Sequence, residues 1–112
     1  MKITFNGTAA AEGFPALFCE CEHCQKAREL GGKNIRTRSS CLIDEEYLID
    51  FPPDVYMHVL HGKLRLSSVK HLIITHSHSD HFQPYELNMK LKPFAYPKEG
   101  EELYVYGNDR VY

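Results

Sequence analysis

The sequence predicts a domain of mixed α/β (α+β) class, built on one mixed sheet with flanking helices. Short apolar segments rich in β-branched residues alternate with segments of helical character along the chain. Strands precede, flank and follow the helices, which is the order expected of a mixed sheet. The 112 residues are enough for one small domain.

The elements follow from local signals. The segment 71–75 is short, apolar and bounded by polar residues, so it is predicted as a buried strand. The acidic turn 44–46 joins two strands into a hairpin. Gly31 and Gly32 end the first helix, and a proline follows the start of the last one. The predicted strands are 3–5, 40–43, 47–50, 71–75 and 103–107, and the predicted helices are 22–30, 54–61 and 82–91.

Composition disfavours several classes of protein. The chain is 43% hydrophobic and 25% charged, and its net charge is −2, so electrostatics do not attract it to nucleic acid or to an acidic membrane. No apolar stretch approaches the roughly 20 residues of a membrane span, and the N-terminus lacks the apolar core of a signal peptide. We therefore expect a cytoplasmic protein whose four cysteines are reduced or metal-bound.

Three of those cysteines, Cys19, Cys21 and Cys24, form a Cys-x-Cys-x-x-Cys motif. This spacing is typical of a tetrahedral zinc site. The glutamates among the cysteines do not suit a hydrophobic core. Because a tetrahedral site needs four ligands, the fourth must come from elsewhere. A redox pair or unreactive thiols are the alternatives.

The segment 75–81, Thr-His-Ser-His-Ser-Asp-His, directly follows the predicted buried strand. Alternate side chains of an extended chain point the same way, so His76 and His78 can hold one metal ion. Asp80 and His81 lie at the following turn and can hold a second. Such ligands suit zinc, manganese or iron, and two adjacent ions can stabilise the attacking and leaving oxygens of a displacement. Alternatively, Asp80 caps the next helix, with Gln83 three residues later, and the histidines are loop residues.

These motifs resemble those of the metallo-β-lactamase-fold hydrolases, and among them the subgroup of the phosphonate-pathway cyclic phosphodiesterase. The subgroup shares Gly7-Thr8, the cysteine motif, an arginine-containing segment that ends in Ser39-Ser40, and the histidine motif. The resemblance implies an αββα sandwich of which residues 1–112 supply the N-terminal half, so a truncated domain is expected. One apolar face of the sheet would then be open, to be covered by a second copy in a homodimer or by a missing C-terminal half.

The resemblance also implies a function, a metal-dependent phosphodiesterase that acts on a small cyclic phosphate ester. Two Zn²⁺ or Mn²⁺ ions would activate a water molecule, and a structural Zn²⁺ would bind the cysteine motif. Asp50 would support the ligand loop, its alternative role being a helix cap. The ligands of the catalytic metal ions would be His76, His78, Asp80 and His81, and Asp80 would also be a catalytic residue. Arg36 and Arg38 are candidates for binding the substrate phosphate. The alternative for these arginines is a solvated surface role.

Other functions stay open at this point. The family supplies further metal ligands after the histidine motif, whereas this sequence has no histidine after His81 and Asp109 as its only later aspartate. A metal-binding but catalytically incomplete fragment is therefore the main alternative. Hydrolysis of carboxyl esters, lactones or thioesters is a second. Nucleic-acid processing is a third, against which the net charge of −2 argues.

Overall fold

The computed structural model describes residues 1–62, 64–98 and 100–112. A five-stranded sheet runs in the order β1 to β5, so each strand lies beside its neighbours in sequence. The first three strands are antiparallel, and β4 and β5 continue the sheet in parallel, which confirms the predicted mixed sheet. The strands are β1 (Ile3–Gly7), β2 (Ser40–Ile43), β3 (Tyr47–Ile49), β4 (His71–Ile73) and β5 (Tyr104–Tyr106).

The α-helices are α1 (Glu22–Leu30) and α2 (Val55–His61), close to their predicted bounds. The helix predicted at 82–91 is observed as a 3₁₀ helix at Pro84–Lys90. Short α-helices are stable mainly when an apolar face packs, and here Tyr85 and Met89 remain exposed. No helix in the described part of the chain has the length and apolarity to cross a bilayer.

The hydrophobic core lies on one face of the sheet. Leu42, Leu48, Leu72 and Val105 form a row in register across β2 to β5. Burying a leucine side chain contributes about 1.5–3 kcal/mol, so this row is a main source of stability. The side chains that pack with it come from α2 and the connecting segments, namely Phe51, Val55, Leu64, Val69 and Ile74.

The opposite face of the sheet is exposed, because successive side chains of a strand point to opposite faces. We call this surface the open face. His71 stacks there between Tyr47 and Tyr104, with ring centroids 4.8 and 5.7 Å apart. An open apolar face was expected from the sequence, and what covers it stays a prediction. The open face consists of Ile3, Phe5, Cys41, Ile43, Tyr47, Ile49, His71, Ile73, Tyr104 and Tyr106.

The backbone of the loop after β1 passes very close to the backbone of the segment before β2. Ala9 donates to the carbonyl of Thr37 at 2.8 Å, and Phe14 donates to that of Arg36 at 2.9 Å. At Gly7 a Cβ would lie 1.9 Å from the carbonyl oxygen of Arg38. A glycine is therefore required at this crossing by close backbone approach.

Candidate metal centres

Asp50 is fixed in place where β3 ends. Its φ of 64° lies in the left-handed region, which aspartate tolerates better than most residues. Its N–H donates to the carbonyl of Ile73 at 2.9 Å, and its own carbonyl accepts from the Ser40 hydroxyl at 3.2 Å. The residue is only 3% exposed. The neighbouring strands thus hold a buried carboxylate beside the segment that follows β4.

The Asp50 carboxylate accepts hydrogen bonds from two residues of the histidine motif. The N–H of Thr75 donates at 2.7 Å and its hydroxyl at 2.8–2.9 Å, while Nδ1 of His81 lies 2.6 Å from Oδ2. Because an ionised carboxylate can only accept, Nδ1 of His81 carries the proton. Its Nε2 is then free to bind a metal. This geometry fits the supporting role predicted for Asp50, whereas the residue at the N-cap of α2 is Asp54.

The candidate ligands of the histidine motif are neighbours in pairs. The ring of His76 lies 4.7 Å from that of His78 and 4.0 Å from that of His81. Nε2 of His81 lies 3.2 Å from a carboxylate oxygen of Asp80. In a tetrahedral site with bonds of about 2.0–2.1 Å, neighbouring ligand atoms are about 3.3 Å apart. The spacing of Asp80 and His81 therefore fits two ligands of one ion.

A tight turn produces this arrangement. The carbonyl of His78 accepts from the N–H groups of His81 and Phe82, both at 2.9 Å. The carbonyl of His81 accepts from the N–H of Phe51 at 2.7 Å, which ties the turn to the residue after Asp50. The 3₁₀ helix that follows has Gln83 at its N-cap and no side-chain cap. The alternative in which Asp80 caps this helix is therefore not supported.

The three cysteines converge at the start of α1. Their sulfur atoms all lie within 4.8 Å of one another, and within the described ranges no other set of three metal-binding side chains approaches as closely. Cys21 is the N-cap of α1 and accepts from the N–H of Cys24 at 3.5 Å. Zinc–thiolate bonds of about 2.3 Å place sulfurs about 3.8 Å apart in a tetrahedral site. The cluster fits zinc after a small contraction.

Electrostatics distinguish the thiols. The N–H of Cys24, together with the side chains of Cys19 and Cys24, lowers the pKa of Cys21 below its ordinary value. The N–H of Cys21 also lowers the pKa of Cys19, but contacts with the Cys21 and Cys24 thiols and partial burial outweigh it, so that pKa is raised. A cysteine binds a metal ion as the thiolate, so its thiol must lose its proton. Cys21 is therefore the more readily ionised of the two.

The two arginines predicted to contact a substrate phosphate differ in their surroundings. Arg38 is paired with Asp54, and its Nε donates to the carbonyl of Ala11 at 3.1 Å. Arg36 is exposed, and two of its nitrogens donate to Thr8 at 3.0 and 3.1 Å. A groove of about 300 Å³ is lined by Arg36 and Lys33. The phosphate role stays a prediction for both, and the contacts of Arg38 favour a structural role.

Sequence reasoning missed two side chains at these sites, Thr75 and Asp54. Both contact residues distant in sequence, and no local pattern marks such a pairing. The one available signal for Thr75 was a hydroxyl residue directly before His76.

A cavity of about 410 Å³ lies elsewhere, lined by core residues such as Leu48, Leu72 and Leu103, and it includes none of the candidate ligands.

No protein-family model matches the chain. The chain is 27% identical over 123 aligned positions to coenzyme PQQ synthesis protein B of Bradyrhizobium diazoefficiens, covering 99% of this chain and 37% of that protein. It is 32% identical over 93 positions to the protein of the same name from Klebsiella pneumoniae, covering 72% of this chain and 30% of that protein. The chain thus spans about a third of the length of the curated relatives it matches.

Two solved structures share the fold. Zn²⁺-bound PqqB from Methylobacterium extorquens matches with a TM-score of 0.61 and 24% identity, over 70% of this chain and 30% of that one. A diphosphatase of the PhnP family matches with a TM-score of 0.68 and 21% identity, over 97% of this chain and 42% of that one. The chain has the metallo-β-lactamase fold.

The predicted metallo-β-lactamase architecture is therefore confirmed for the part of the fold that this chain covers. One neighbour with this fold is a zinc-bound protein. The donor groups of the cysteine cluster and of the histidine motif are those that zinc prefers. Metal binding is thus supported by the neighbour and by the chemistry of the side chains.

Proposed function

We propose that this chain carries part of the metal centre of a metal-dependent hydrolase whose substrate is a small, preferably cyclic, phosphate ester. The observation that carries the proposal is the convergence of the histidine motif in one turn, with His81 held at 2.6 Å by the buried Asp50. In metal sites, the histidine nitrogen that does not bind the metal typically donates a hydrogen bond to a carboxylate. A surface loop without a bound metal would not require a buried carboxylate to orient His81.

The residues divide into two pairs. His76 and His78 would hold one ion, and Asp80 and His81 would hold a second, with Zn²⁺ or Mn²⁺ as the ions. Bound metal of this kind lowers the pKa of water and stabilises negative charge on phosphoryl oxygens. Asp80 is the only carboxylate within 75–83 and could also accept a proton from a water molecule. Asp50 orients the His81 ring by accepting a hydrogen bond from Nδ1 of His81.

Two further assignments concern the substrate and the cysteines. Arg36 is the better candidate for holding a phosphate, because it is exposed and shares its groove with Lys33. The likeness to a PhnP-family diphosphatase supports a phosphate ester as the substrate class. The cysteine cluster would hold one structural Zn²⁺, since its donors are all thiols and none belongs to the histidine turn.

Metal binding without turnover is a second candidate. Within residues 1–112 the candidate ligands of the histidine motif make two pairs rather than two full sets. Hydrolysis of carboxyl esters, lactones or thioesters remains the rival within the hydrolase class, because the metal ligands alone do not select phosphorus over carbon.

Hydrolysis assays distinguish these candidates. With Zn²⁺ or Mn²⁺ added, we expect the protein to cleave bis(p-nitrophenyl) phosphate faster than p-nitrophenyl acetate. His78→Ala should reduce the rate about 100-fold or more, because a metal ligand is lost. The matched control is His61→Ala, which removes an exposed histidine at the end of α2. Zinc binding with no cleavage of either ester would instead support the non-catalytic role. Preferred cleavage of the acetate would support the carboxyl-ester rival.

A further inference from the structure

The hydroxyl of Thr75 lies between Asp50 and His76. It is 2.8 and 2.9 Å from the two carboxylate oxygens of Asp50 and 3.0 Å from Nδ1 of His76. The N–H of Thr75 also donates to Asp50, at 2.7 Å. Backbone and hydroxyl therefore hold Thr75 against the same buried carboxylate, which fixes the position of its oxygen.

The protons in this chain of contacts can be counted. A hydroxyl has one proton to donate and two lone pairs that accept. Because the Asp50 carboxylate only accepts, the Thr75 proton is directed to Asp50. The Thr75 oxygen is then an acceptor toward His76, so the hydrogen must lie on Nδ1 of the imidazole. Nε2 of His76 is left with its lone pair free.

We propose that Thr75 is a positioning residue that passes the orienting effect of Asp50 on to His76. One buried carboxylate thereby sets the tautomer of a ligand in each proposed metal pair, His81 directly and His76 through the Thr75 hydroxyl. This inference rests on the proposed metal centre and adds to it a link between the two pairs. It does not depend on whether the bound ions support hydrolysis.

The tautomer can be measured without any variant of Thr75. At about pH 8, each tautomer of a neutral imidazole has its own pattern of ring ¹⁵N shifts. In metal-free protein we expect the hydrogen on Nδ1 for both His76 and His81. Signals are assigned by their loss in His76→Gln and His81→Gln. A hydrogen on Nε2 of His76 in the unsubstituted protein would overturn the inference.

Substitution of Thr75 gives a second, independent measurement. Thr75→Val keeps the shape of the side chain but removes the hydroxyl, whereas Thr75→Ser keeps the hydroxyl. We expect Thr75→Val to weaken zinc binding about 10-fold, the lower end of the effect of losing a partner behind a metal ligand. It should also remove the Nδ1 preference of His76 while His81, held directly, retains its own. Thr75→Ser should restore both properties.

The readouts separate this inference from the proposed function. Zinc affinity is measured by competition with a chromophoric chelator, and no substrate is involved. Unchanged zinc affinity and an unchanged His76 tautomer in Thr75→Val would overturn the inference even if the protein hydrolyses phosphate esters. Conversely, a hydroxyl-dependent zinc affinity in a protein with no hydrolytic activity would uphold the inference while the proposed function fails.

Discussion

Asp54 accepts two hydrogen bonds from Arg38, one from the backbone N–H at 2.6 Å and one from guanidinium Nη1 at 2.7 Å. The two side chains are only 18% and 14% exposed. The pair joins the start of α2 to the segment before β2, and Arg38 also reaches Ala11 in the loop after β1. Three separate parts of the chain thus meet at one charged pair.

Removal of this pair should destabilise the fold. We expect Arg38→Ala to lower the free energy of unfolding by about 1.5–3 kcal/mol, the range for hydrogen bonds to charged groups. The matched control is Lys2→Ala, which breaks a pair with Glu45 that is 3.6 Å long and exposed. Exposed pairs contribute little, so the control should change by less than about 0.5 kcal/mol. Urea unfolding measures both, and equal losses would contradict a special role for Arg38.

The cysteine cluster should account for one equivalent of zinc. We expect Cys21→Ser to lose this zinc and to unfold at lower urea concentration, because a structural metal contributes directly to folding. Cys41→Ala serves as the control, since Cys41 lies in β2 outside the cluster. Elemental analysis per protein chain measures the outcome. Zinc content in Cys21→Ser equal to that of the unsubstituted protein would rule out the assignment.

His58 should make stability depend on pH. Its ring is buried against Thr37, with Nε2 2.7 Å from the hydroxyl, and its Nδ1 has no partner among the described residues. Burial lowers the pKa of His58 below 6.5, partly opposed by Asp54. Below pH 6.5, His58 therefore binds a proton more readily in the unfolded chain than in the folded chain.

The stabilising contribution of neutral His58 is thus complete above pH 6.5 and is lost as pH falls from there through the lowered folded pKa. In His58→Gln this loss should be absent. Urea unfolding of both proteins in the same buffers, from about pH 7.5 to about pH 5.5, isolates the effect as a difference. Parallel stability curves for the two proteins would show that His58 does not contribute.

The close crossing at Gly7 should not tolerate a side chain. A Cβ there would meet the backbone carbonyl of Arg38, which is part of the framework and cannot rotate away. We expect Gly7→Ala to cost about 3 kcal/mol, the upper end for overpacking. Gly31→Ala is a suitable comparison because nothing lies within 4 Å of its Cβ position, although its φ is 62°. Its cost should be about 1–3 kcal/mol, because a φ of 62° with a ψ of −153° lies in a region that essentially only glycine adopts. A smaller loss in Gly7→Ala than in Gly31→Ala would contradict this account.

The sequence carried most of the strand and helix pattern because those signals are local. The hairpin around 44–46 and the helix that ends at Gly31 were predicted from neighbouring residues and are observed. The segment after Gln83 was predicted as a helix without a type, because the choice between an α-helix and a 3₁₀ helix depends on whether distant residues bury its apolar side chains.

The candidate sites divide in the same way. His76, His78 and His81 lie so near in sequence that one turn brings their rings together. The contact of Asp50 with Thr75 joins residues 25 positions apart, and that of Arg38 with Asp54 joins residues 16 apart. Such pairings depend on the path of the whole chain. Local spacing could therefore predict which candidate ligands lie near one another, whereas the contacts of Thr75 and Arg38 could not be predicted from it.

The open face has a practical consequence for anyone who handles the protein. Environment-sensitive dyes such as anilinonaphthalene sulfonate bind exposed apolar surface, and Phe5, Ile73 and Tyr106 provide it in the folded state. A folded chain whose open face is uncovered should therefore fluoresce with such a dye before any heating, whereas a covered face should give little signal. With the face uncovered, a dye-based melting curve would start bright, and the usual rise on unfolding would be shallow. Intrinsic tyrosine fluorescence or circular dichroism would report its unfolding more faithfully.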